Sequence, residues 1–96
     1  MKNNSKEMKL IRKTIDKVDD KLLPLMIKRS KLVEKALSYK KRKSDIVDKK
    51  RINQIAKKVS KRAKELKGNP KLIKSIWLSI IDNFIEYENE KFNKKN

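Results

Sequence analysis

The sequence predicts an all-α fold of three helices, long, short and medium in length, and three observations carry that prediction. Helix breakers are scarce: glycine occurs once, as Gly68, and proline twice, as Pro24 and Pro70, so long uninterrupted helices are expected. Apolar residues recur at alternating spacings of three and four rather than two, the period of a helix packed on another helix. Helix-start signals stand at Asp48 and at Asn69-Pro70, which divide the chain into three segments.

The first segment is predicted as a helix from about Glu7 to Lys43. Its seam is Met8, Ile11, Ile15, Val18, Leu22, Leu25, Leu32 and Ala36. Asn4 can cap its start, with Glu7 three residues on. Pro24 falls inside it and removes one backbone hydrogen bond, which favours a kink. The seam keeps its phase across Pro24, so a bend is expected rather than a break. A polar loop is expected over Lys41 to Val47. Asp48 then caps a second helix, Lys49 to Lys67, with the stripe Ile52, Ile55, Ala56, Val59, Ala63 and Leu66. Gly68 suits its C-terminus. Asn69 caps the third helix, with Pro70 in its first position. This helix carries Leu72, Ile73, Ile76, Trp77, Ile80, Ile81, Phe84 and Ile85 and is expected to end near Phe92. The whole of 1–96 reads as a single domain, with 1–6 and 93–96 expected to fray.

The first helix, at about 1.5 Å per residue, would span roughly 55 Å, far more than either of the others. One copy would leave part of the long seam uncovered, and pairing the long helices of two copies would cover it. A homodimer is therefore expected. Composition points the same way: 36% hydrophobic and 43% charged residues in 96 make a thin core for a monomer.

The absence of cysteine and histidine excludes disulfides and Cys- or His-based metal sites and removes the commonest general base. Chemistry would have to run on Arg, Lys, Asp, Glu and hydroxyls, and no metal site is expected. The net charge of +17 would suit nucleic acid or an anionic membrane, but the lysines read as spread along the chain rather than gathered in one block. The start Met1-Lys2-Asn3-Asn4 has no signal-peptide pattern and no apolar run reaches membrane length, so a cytoplasmic protein with no membrane partner is expected.

Several charges fall on apolar faces. Arg29 continues the series Val18, Leu22, Leu25 into Leu32 and Ala36, a core position where a lone charge is costly and an anion is wanted. The bland alternative is an Arg that snorkels to water or pairs with an acid. Lys40 lies eleven residues on, about three turns, and so on the same side as Arg29. Arg12 flanks the seam beside Met8 and Ile15. Arg51 stands in the first turn of the second helix, where a cation opposes the helix dipole. Glu88 follows Phe84 by four and Ile81 by seven on the apolar face of the third helix. A carboxyl there is desolvated, an effect that a nearby Arg or Lys opposes. Several cations and one carboxyl on buried faces suggest a pocket for a small carboxylated molecule. An enzyme of this kind would act by holding its substrate and by electrostatics.

These residues resemble the small all-helical chorismate mutases. Ile11-Arg12-Lys13-Thr14-Ile15-Asp16 through Leu22-Leu23 looks like the family's opening pattern, and Leu25 to Arg29 like its next element. Lys40 falls at the expected spacing, Val47-Asp48-Lys49-Lys50-Arg51 is similar to the loop-to-helix motif, and Trp77 through Glu88 to the closing helix. The resemblance covers about residues 8 to 92. It implies an intertwined helical homodimer that isomerises chorismate to prephenate in aromatic amino-acid biosynthesis, with no cofactor. By resemblance, Arg29, Lys40 and Arg51 would bind the substrate's carboxylates and ether oxygen, and Arg12 would reach in from the other protomer. Asp48 would line the site near the ring hydroxyl through its backbone. Glu88 would hydrogen-bond the ether oxygen, which makes Arg29, Lys40 and Glu88 the catalytic group. Two positions depart from the pattern: Ile52, where many members carry Glu, and Phe84, where many carry a small polar residue. Both also occur in the related branch that includes the isochorismate-pyruvate lyases, which form salicylate. A lyase is thus the alternative activity. A basic nucleic-acid-binding dimer is a further alternative, disfavoured because Trp77, Phe84 and Phe92 lie on or near the core face and leave little for base stacking. A dimer that kept the fold without catalysis is the last.

Overall fold

The computed structural model describes residues 5–95. Among these there are three α-helices, α1 (Lys6–Leu37), α2 (Lys49–Glu65) and α3 (Pro70–Lys95), one short 3₁₀ turn (Lys43–Asp45) and no strand. The chain divides into two units, residues 1–32 and residues 33–96.

The first unit holds most of α1. Ser5 caps it: the Met8 amide donates to Ser5 Oγ at 3.1 Å, meeting one of the four orphan amides of a helix start. The expected cap, Asn4, lies outside the described residues. Pro24 is inside the helix, which continues through it, as the unbroken apolar phase predicts. Along this unit Ile11, Ile15, Val18, Leu22 and Leu25 are each at least 51% exposed.

The second unit is built on the pairing of α2 with α3. Both starts follow their signals. The Arg51 amide donates to Asp48 Oδ1 at 3.0 Å, and the Leu72 amide to Asn69 Oδ1 at 3.1 Å. Pro70 in first position loses nothing, because that amide has no helical partner anyway. The residues between Glu65 and Pro70 form too short a link for anything but a helical hairpin. Ala56 and Ala63 are buried on α2 and Ile81 on α3, with Leu37 and Ile46 joining them from the preceding segment. Small alanines at those places let the helices approach closely.

Three helix ends differ from expectation. The first helix ends at Leu37, not Lys43. Ser38, Tyr39 and Lys40 donate their amides in tight bonds to Lys35, Ala36 and Leu37 carbonyls, so the last turn winds down as 3₁₀ geometry. Lys40 therefore leaves the helix, and the reasoning that put it three turns above Arg29 on one face does not hold. The expected loop contains the 3₁₀ turn, in which Asp45 accepts the Arg42 amide at 3.2 Å. The second helix stops at Glu65, two residues early. Gly68 does stand at its end, but the left-handed residue is Lys67, with φ of 62°. The Gly68 amide donates to Ala63 O at 2.8 Å and the Lys67 amide to Lys64 O at 3.0 Å, the bond pair of a Schellman ending. The third helix runs past Phe92 to Lys95.

With the helices placed, the charge is not evenly spread. Eight of the 17 residues of α2 are Lys or Arg, against the single acid Glu65. Lys50, Lys57, Lys61 and Lys64 follow one another at helical spacing on exposed helix surface. The α3 helix is nearly balanced.

Candidate active site

The second unit brings two of the expected residues into direct contact. Lys40 Nζ donates to Glu88 Oε2 at 2.8 Å. Glu88 is buried, with 7% of the residue exposed. Its side chain retains 10% exposure and that of Lys40 25%. The carboxyl on the apolar face of α3 is thus answered by a cation from the turn after α1, which meets the requirement that a buried charge be paired.

Lys40 and Asp48 line an open cavity of about 630 Å³ together with Tyr39, Ser44, Asp45, Val47 and Lys49. The Asp48 carboxylate accepts the Arg51 amide through Oδ1. Arg51 itself is exposed in the first turn of α2, and Ile52 beside it is half-buried. Phe84 is half-buried one turn before Glu88 on α3. Arg12 and Arg29 belong to the first unit, where Arg12 is exposed and Arg29 half-buried.

A second polar cluster lies on the same face of α3. Tyr87 Oη donates to Glu34 Oε1 at 2.6 Å, and Lys91 Nζ reaches the same oxygen at 3.1 Å. The Lys91 ammonium is 5.7 Å from the centre of the Tyr87 ring, within cation–π range. Phe84 meets Tyr87 edge-on, with ring centres 6.5 Å apart at 89°. The hydrogen bond to Glu34, then burial, pushes the Tyr87 phenol above its ordinary value. The same Glu34 bond comes first in raising the Lys91 ammonium. Sequence reasoning did not single out Glu34, Tyr87 or Lys91. The available signal was the spacing of Phe84, Tyr87, Glu88 and Lys91, which puts all four on one side of a helix.

A partly buried cation–carboxyl pair beside an open cavity can bind and polarise an oxygen-rich anion. The sequence matches the family described as chorismate mutase type II over residues 11–89. That span is most of the chain and includes every site residue expected from the resemblance. The chain belongs to the chorismate mutase type II family, whose substrate is chorismate and whose reaction is an isomerisation. Among curated proteins, none matches the chain. Among the described residues no helix is long and apolar enough to cross a membrane.

Proposed function

We propose that the protein is a chorismate mutase, converting chorismate to prephenate within a homodimer in the cytoplasm. The observation that carries this reading is the Lys40–Glu88 pair, a cation and a carboxyl facing each other at a buried position in a chain of this family.

The reaction is a unimolecular Claisen rearrangement, in which the ether carbon–oxygen bond breaks as a new carbon–carbon bond forms. It needs no covalent intermediate and no cofactor. The site's work is to fold the enolpyruvyl group over the ring and to stabilise negative charge on the departing ether oxygen. Lys40 donates to that oxygen, and Glu88 donates to it from the other side when it holds a proton. Arg29 and Arg51 take the substrate carboxylates, Arg12 completes the site from the second protomer, and the Asp48 backbone lies near the ring hydroxyl. Support for the dimer comes from the exposed row Ile11, Ile15, Val18, Leu22 and Leu25. An apolar cavity of about 370 Å³ lined by Val59, Ala63, Leu66, Ile73 and Trp77 adds to it. Surfaces of both kinds are expected to be covered.

A second reading is favoured by Ile52 and Phe84. Both are half-buried apolar residues where many members place polar groups for the ring hydroxyl. With that partner gone, isochorismate becomes a candidate substrate and pyruvate elimination to salicylate the reaction. Parallel incubation of purified protein with chorismate and isochorismate, with product identification, separates the two. Prephenate from chorismate, abolished by Arg29→Ala, is the expected result. Salicylate and pyruvate from isochorismate would transfer the protein to the lyase branch, and turnover of neither would refute both.

A further inference from the structure

We propose that Tyr87 is a positioning residue for this site, acting with Glu34 to hold α3 in place when substrate separates Lys40 from Glu88. The inference rests on the mutase reading above.

Phe84, Tyr87, Glu88 and Lys91 fall at i, i+3, i+4 and i+7 and so share one face of α3. Phe84 and Glu88 belong to the site. Tyr87 and Lys91 instead grip Glu34, in the last turns of α1 and six residues before Lys40. The segment 34–40 is thus joined to α3 by polar ties at both of its ends. One is Lys40 Nζ to Glu88 Oε2 at 2.8 Å. The other is Glu34 Oε1, which accepts from Tyr87 Oη at 2.6 Å and from Lys91 Nζ at 3.1 Å.

Only the first of these can be given up in the reaction. An ether oxygen that accepts from Lys40 and from the protonated form of Glu88 has to sit between them. Two hydrogen bonds of about 2.8 Å through one oxygen put the two side chains roughly 4.5–5 Å apart, where they now touch. The first tie is then exchanged for bonds to substrate, and the Glu34 contacts remain to hold α3, with the Tyr87 hydroxyl making the shorter of the two and Lys91 the longer. Tyr87 also has its ring against the Phe84 ring, so it fixes the apolar wall of the site with the same side chain. A shift of about 1 Å at the reacting atoms can cost on the order of a hundredfold in rate, which makes the hydroxyl matter to turnover although it touches no substrate.

The test is steady-state kinetics of the full-length protein on chorismate with Tyr87→Phe, Glu34→Gln and Glu34→Ala, beside a thermal melt of each. Tyr87→Phe keeps the ring and removes only the hydroxyl. Its kcat is expected to fall roughly tenfold with KM changed by less than about twofold, and its Tm by no more than about 5 °C. Glu34→Gln, which keeps an acceptor for Tyr87, should retain more kcat than Glu34→Ala. A Tyr87→Phe variant with wild-type kcat overturns the proposal, as does a loss that disappears on cooling, which would mark a merely structural bond. An equal loss in Glu34→Gln and Glu34→Ala would also overturn it. Wild-type protein that fails to turn over chorismate refutes the mutase reading and the proposal with it, an outcome distinct from active wild type with an unaffected variant.

Discussion

Replacing Lys40 by Met should cost stability as well as activity, and the two losses can be separated. Lys40→Met keeps the length of the side chain but leaves the Glu88 carboxylate without its ammonium. Exposed ion pairs are worth about 0–1 kcal/mol, whereas removing one member of a fully buried pair costs about 3–5 kcal/mol. Here the side chains are 25% and 10% exposed, so the structure sits between those limits. A loss of about 2 kcal/mol is expected, because water can reach the lysine end and solvate part of the uncovered charge. For a chain of this size that lowers Tm by roughly 8–16 °C. The double variant Lys40→Met/Glu88→Met removes both charges and refills the space with apolar atoms, so its stability should return to within about 1 kcal/mol of wild type. Activity should be lost in both. The assay is thermal denaturation followed by circular dichroism at one fixed protein concentration, so that any self-association contributes equally, with chorismate consumption measured in parallel. A single variant that melts with wild type would show the pair to be a wet surface contact. A double variant no more stable than the single would show that the stranded charge is not what costs.

The left-handed residue offers a stabilising change. Lys67→Gly relieves a side chain from φ of 62° and should gain about 0.5–1 kcal/mol. By contrast Gly68→Ala, whose added Cβ would lie 3.4 Å from Ala63 O, should be near neutral; denaturant titration of both would check the assignment of the Schellman position. The Glu34 cluster predicts an alkaline limit. Tyr87 and Lys91 are both raised in the fold above their ordinary values of 10.0 and 10.5, so their contribution is complete below about pH 10 and is lost as pH rises through the folded values. Melting temperature should fall in that range and fall less steeply in Tyr87→Phe, and parallel slopes would contradict the pairing.

The starts of α2 and α3 were legible because the chemistry that begins a helix is local. Asp48 and Asn69 each reach an amide three residues on, and Pro70 needs no partner. The end of α1 was not. Nothing between Ser38 and Lys43 is Gly or Pro, and the helix stops because its apolar seam gives out at Leu37 and the following carbonyls are met by 3₁₀ bonds. Helical spacing therefore misplaces Lys40, which lies beyond the end of α1. Its partner Glu88 was readable as a charge on an apolar face, but the pairing joins residues 48 apart, which no local pattern encodes. Glu34 and Tyr87, 53 apart, left even less trace, since each alone reads as an ordinary helix-flank residue. In α2, Lys67 took the left-handed position although Gly68 was next in line, because the bond from the Gly68 amide to Ala63 sets which residue must turn.

The basic face of α2 makes ionic strength a variable with two opposed effects. Lys57, Lys61 and Lys64 stand one turn apart on exposed helix surface, where like charges repel across about 5–6 Å. At physiological salt the screening length is about 8 Å, too long to hide them from one another, and only near 1 M does it shrink to about 3 Å. Added salt therefore relaxes a helix that folds against its own charge. The Lys40–Glu88 contact, shielded by burial, feels little of this. The long-range attraction that a surplus of cations exerts on a carboxylated substrate fades over the same range. Conditions that make the protein hardest to melt are thus those in which it gathers its ligand most slowly.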